Sequence, residues 1–75
     1  MEEGEEPMDA KTKILISLGA SVCAHCQPCL QHHVKHARDA GLTEKEIREA
    51  IAVGHTVEKG SMAAMQKFSS SLLNA

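Results

Sequence analysis

A chain of 75 residues is one small domain, and a chain this short buries only about 60% of the surface its unfolded form exposes. It has no Trp, no Tyr and one aromatic, Phe68, while 43% of it is apolar; that mass of Ala, Leu, Ile, Val and Met suits close-packed helices better than strands. No apolar run approaches the roughly 18 residues of a spanning helix, and the acidic N-terminus is unlike a secretion signal, so the expected compartment is the cytoplasm.

The net charge of −2 conceals an asymmetry. Residues 1–9 hold Glu2, Glu3, Glu5, Glu6 and Asp9 without a base, and the rest of the chain carries eight bases against five acids. No carboxylate occurs between Ala10 and Arg38. That acid-free stretch contains Cys23, Cys26 and Cys29 and four of the five histidines: His25, His32, His33 and His36.

Residues 1–8 read as a disordered acidic tail, because Glu, Gly and Pro cannot repay the entropy of ordering. Asp9 is a candidate N-cap for a first helix, with Ile14, Leu15, Leu18 and Val22 at helical spacing. Gly19, Ala20 and Ser21 leave its far end small-sided, open to close approach by another backbone. A second helix is expected from about Cys26 to Ala40, with Pro28 in its first turn and Gly41 placed for a left-handed C-terminal cap. Thr43-Glu44-Lys45-Glu46 matches a capping box, and Leu42 and Ile47 match a hydrophobic staple. The third helix should run to about Glu58. Gly60-Ser61 then reads as a break before a fourth helical stripe of Met62, Met65, Phe68 and Leu72, taken as ordinary core. The expected fold is all-α, with four helices in one domain over residues 9–75.

The chemistry centres on Cys26-Gln27-Pro28-Cys29 at a helix start. The spacing brings two sulfurs within disulfide reach over the first turn. The positive end of the helix dipole, with Lys and His neighbours and no nearby acid, favours thiolate. His33 lies four residues after Cys29 and seven after Cys26, nearly on their face, where an imidazole can take and return a thiol proton. A competing reading gathers Cys23, Cys26, Cys29 and His33 around zinc or an iron–sulfur cluster, although four ligands within eleven residues are crowded for either. A third reading is a helical module whose cysteines have no reaction. Cys23, beside Val22, reads as a small hydrophobe able to exchange with the pair, His32 and His36 as solvated groups, and His55 as a packing residue.

The segment Leu18-Gly-Ala-Ser-Val-Cys-Ala-His-Cys-Gln-Pro-Cys-Leu-Gln-His-His-Val, followed by Ala-Gly-Leu-Thr-Glu-Lys-Glu-Ile-Arg-Glu-Ala-Ile, resembles short members of the carboxymuconolactone decarboxylase family, which includes alkylhydroperoxidase D. The resemblance covers about residues 9–72. It implies an all-α fold assembled as a trimer or hexamer, and a Cys pair that reduces peroxides or exchanges disulfides at the expense of a dithiol reductant. Carried over by position, it implies Cys26 and Cys29 as the redox pair, Cys29 meeting peroxide and Cys26 resolving it, with His33 as relay base. Lactone decarboxylation is not implied, since that branch does not depend on a Cys pair. The peroxidase relay also has a glutamate upstream of the motif, which this chain lacks; Glu49 or an acid of another subunit is the expected substitute. No cofactor, nucleic acid or membrane partner is expected. Self-association is: Ile14, Leu15 and Ile16 are consecutive and Ala63 and Ala64 flank the Met stripe, more apolar surface than one stripe per helix buries.

Overall fold

The structure, a computed structural model, describes residues 7–74. It contains three helices, α1 (Ala10–Cys23), α2 (Gln27–Asp39) and α3 (Glu44–Asn74), and no strand among the described residues. Of the expected tail, Pro7 and Met8 are exposed and precede the helix, and residues 1–6 lie outside the described residues.

Each helix begins where its capping chemistry dictates. The Asp9 carboxylate accepts the Thr12 N–H at 2.8 Å and opens α1. The α3 capping box is reciprocal: Thr43 N–H donates to Glu46 Oε1 at 2.9 Å and Glu46 N–H to Thr43 Oγ1 at 3.1 Å. At the end of α2, Leu42 N–H bonds Ala37 C=O and Gly41 N–H bonds Arg38 C=O, the paired bonds of a Schellman motif. Gly41 supplies the positive φ of 89° that this motif needs.

The helix α1 packs on both other helices and carries the centre of the core. Ile14, Leu18, Ala37, Ile47 and Ala50 form one buried cluster, with Leu15, Leu30, Val34, Leu42 and Ile51 packed on it. Among the described residues, Leu18 is the one large side chain with no exposure at all. The α1–α3 crossing is set by Gly54, packed against the Gly19 backbone. A Cβ on Gly54 would stand 2.8 Å from Gly19 O and 3.1 Å from Gly19 Cα, so only glycine lets the backbones approach this closely. Gly19 of α1 therefore meets α3 of the same chain.

The expected fourth helix is the second half of α3. Gly60 has nothing within 4 Å of where its Cβ would be and sits in an exposed turn. A helical glycine costs only about 1 kcal/mol against alanine, and the run Met62-Ala63-Ala64-Met65-Gln66-Lys67 beyond it consists of strong helix formers. Gly60-Ser61 does not stop the helix. The Met stripe is not core either: Met62, Met65, Phe68 and Leu72 are all more than half exposed, and every described residue from Lys59 to Asn74 is exposed.

Candidate functional site

The cysteine pair sits at the corner between α1 and α2, and Cys26 belongs to both helix ends. At the end of α1, Cys26 N–H donates to Ser21 C=O at 3.1 Å and His25 N–H to Val22 C=O at 3.0 Å, a second Schellman pairing. The residue at its left-handed position is His25, with φ 54°. As N-cap of α2, Cys26 accepts Leu30 N–H on its carbonyl at 3.0 Å and Cys29 N–H on its sulfur at 3.3 Å. One backbone N–H thus points at a sulfur at the positive end of a helix that has no acid in its first turn.

The Cys26 and Cys29 sulfurs are 2.00 Å apart, bonded as a disulfide, across a Cα separation of 5.2 Å. Cys26 is half-buried and Cys29 is exposed. His33 stands one turn beyond Cys29, half-buried, with its ring edge-on to that of His32 at 5.0 Å between centroids. His32 and His36 are exposed, as the sequence suggests.

Cys23 departs from the expectation of a buried hydrophobe. It is exposed, its thiol donates to Gly54 C=O at 3.3 Å, and it edges an apolar groove with Ile16, Val53 and Val57. The four side chains proposed as metal ligands do not converge: two are joined in the disulfide and a third is turned to α3. Among the described residues, no three His, Cys, Asp or Glu side chains are grouped as a metal ion requires.

One cluster beside the corner is absent from the sequence expectations. Glu58, on α3, accepts His55 Nδ1 at 2.9 Å on one oxygen and His25 Nε2 at 2.6 Å on the other. These bonds, that from His55 first and that from His25 next, hold the Glu58 carboxyl below its ordinary value against the opposing effect of its partial burial. The cluster and Cys26 line one cavity of about 370 Å³. The carboxylate beside the corner is therefore Glu58 rather than Glu49, which is exposed and does not line this cavity. His55 is exposed in this chain, outside its core, and hydrogen-bonds Glu58. The i, i+3 pair His55–Glu58 was visible as a helix-face pair. Its meeting with His25 was not, because it depends on the Gly19–Gly54 crossing that brings this turn of α3 to the corner.

The model for the carboxymuconolactone decarboxylase family matches residues 1–68. A Paracoccus denitrificans protein described as uncharacterized protein 4 in the cox locus is 37% identical over 57 residues, 76% of this chain and 51% of the relative. The chain thus spans about half the length of that curated relative. A crystal structure of a protein from Methanobacterium thermoautotrophicum superposes with a TM-score of 0.73 at 37% identity, covering 89% of this chain and 73% of that one.

Proposed function

The chain belongs to the carboxymuconolactone decarboxylase family, and on that premise we propose that it is a cytoplasmic thiol redox enzyme cycling a Cys26–Cys29 disulfide. The observation that carries this reading is the bonded sulfur pair at the start of α2, one sulfur capping the helix and the other facing solvent. The substrate is a hydroperoxide or an external disulfide, and the reductant is a dithiol.

With a hydroperoxide, the exposed Cys29 is the attacking thiolate. It takes the terminal oxygen, the O–O bond breaks, and the departing alkoxide takes a proton relayed by His33, leaving alcohol and Cys29 sulfenic acid. Cys26 thiol then condenses with the sulfenic acid and expels water. The dithiol returns two electrons by exchange, leaving as its own disulfide. Sulfenic acid trapping tests the order. Cys26→Ser protein should accumulate a trapped adduct on Cys29, and trapping confined to Cys26 in Cys29→Ser protein would reverse the roles.

The same proposal includes self-association. The helix α3, 31 residues and so about 46 Å long, projects an apolar stripe that nothing among the described residues covers. The groove of Ile16, Val53 and Val57 continues that face onto the body. A second copy covers both at once, since each chain offers the same uncovered pair. Light scattering should give a mass several times 8.1 kDa, and Phe68→Glu should lower it. A folded, redox-active 8.1 kDa monomer would defeat this part of the proposal.

A further inference from the structure

His25 and Glu58 have no part in the cycle above, and both carry a cost that calls for a reason. The left-handed position at the end of α1 suits glycine, and a side chain there costs about 1–2 kcal/mol. His25 occupies it at φ 54°. From that backbone its Nε2 reaches Glu58, whose side chain is only 22% exposed and whose second oxygen is bound to His55. The titratable groups on the shared cavity are His25, Cys26, His55 and Glu58, and Val22 and Leu30 are among its apolar walls.

A carboxylate only accepts, so His25 presents Nε2–H to Glu58, and in the neutral ring the lone pair then resides on Nδ1. His25 is the residue before Cys26 and lines the same cavity, so a carboxylate-oriented imidazole shares that cavity with the residue whose sulfur His33 is not assigned to serve. We propose that His25, oriented by Glu58 and its bridge to His55, is the proton carrier of Cys26, so that the two sulfurs have separate proton relays.

This rests on the redox reading of the pair and adds the following steps. On reoxidation, the Cys26 thiol gives its proton to His25 Nδ1 and the thiolate attacks the sulfenic sulfur of Cys29. The S–O bond breaks, and the departing hydroxide leaves as water with that proton. On reduction, a thiol of the external dithiol gives its proton to His25, its thiolate bonds to Cys29 sulfur, and the S–S electron pair leaves on Cys26, which takes that proton from His25. The second thiol of the reductant, as thiolate, then attacks the reductant's own sulfur in the mixed disulfide and releases Cys29 thiolate. Glu58 touches no reacting atom; it is a positioning residue.

The test needs neither peroxide nor reductant turnover. In full-length Cys23→Ser/Cys29→Ser protein, Cys26 is the sole thiol, and its alkylation by iodoacetamide is followed across the thiol titration range. Adding Glu58→Gln should slow alkylation at neutral pH by about tenfold, because the imidazole that takes the Cys26 proton is no longer held in place. His25→Asn should do the same, and asparagine tolerates positive φ, so the corner keeps its backbone. His33→Asn should leave the profile in place. Circular dichroism establishes that each variant is helical. A folded His25→Asn protein alkylated at the parental rate would overturn the proposal, as would a His33→Asn protein that alone slows Cys26. A thiol pair that never forms a disulfide, alongside an intact Glu58 effect, would refute the redox reading and leave the His25–Glu58 relay standing.

Discussion

Residues 10–58 and residues 59–74 follow the same helical sequence rules, yet their apolar side chains meet different fates. In the first region every helix end is capped, Ile14, Leu18, Ala37, Ile47 and Ala50 close on one another, and Gly54 sets the crossing. In the second, an equally regular stripe of Met62, Met65, Phe68 and Leu72 touches no core. Helical periodicity therefore reports that a face is apolar without reporting what covers it. The first region holds the fold and the site, and the second is where a second copy of the chain is proposed to bind.

Substitutions that break the body should have the largest effect. Leu18→Ala removes the only fully buried large side chain among the described residues and should cost about 2–5 kcal/mol, comparable with the whole stability a core this small supplies. Thermal unfolding by circular dichroism should show the variant largely unfolded at ambient temperature. Gly54→Ala should follow, at about 1–3 kcal/mol, because its Cβ meets backbone atoms of Gly19 that cannot swing aside. It should also part His55 and Glu58 from His25, since the same crossing positions them. Gly19→Ala is the control: its Cβ would first meet Ala50 O at 3.4 Å, an ordinary contact, so little stability should be lost.

The same contrast explains what the sequence made legible. Local chemistry was readable: the Asp9 cap, the Thr43–Glu46 box and the Gly41 turn depend on residues three to five apart, and each stands where its spacing put it. The Cys26–Cys29 pairing was readable for the same reason. The continuous α3 was not, because a single exposed glycine weakens a helix without ending it, and strong formers on both sides carried it through. The Glu58 cluster was hidden by distance along the chain. His25 and Glu58 are 33 positions apart, and only the packing of α1 on α3 joins them. Charge counted along the sequence therefore described the corner as acid-free, whereas in three dimensions it has a carboxylate beside it.

Acid should separate the two regions further. The Glu46 carboxyl is lowered by Lys11 first and by the Thr43 amide next, Glu58 by His55 and then His25, and Asp9 by Thr12. A carboxyl lowered in the folded state stabilises it fully above the unfolded value, and that contribution is lost as pH falls through the folded value. The midpoint of thermal unfolding should thus decline as pH drops below about 4.5, and Glu46→Gln should flatten the decline. The smallest effect should come from outside the body. Gly60→Ala adds a Cβ into open space within a helix and should stabilise the chain by about 0.5–1 kcal/mol, read as a raised unfolding midpoint with the redox chemistry unchanged.

The most direct test of the redox assignment is the mass and linkage of the protein itself. Fully reduced, metal-free protein treated with one equivalent of hydroperoxide should lose two hydrogens in intact mass, with peptide mapping placing the new bond between Cys26 and Cys29, and a dithiol should restore both hydrogens. An unchanged mass with both thiols still free, or a bond that joins Cys23 in place of Cys29, would contradict the account.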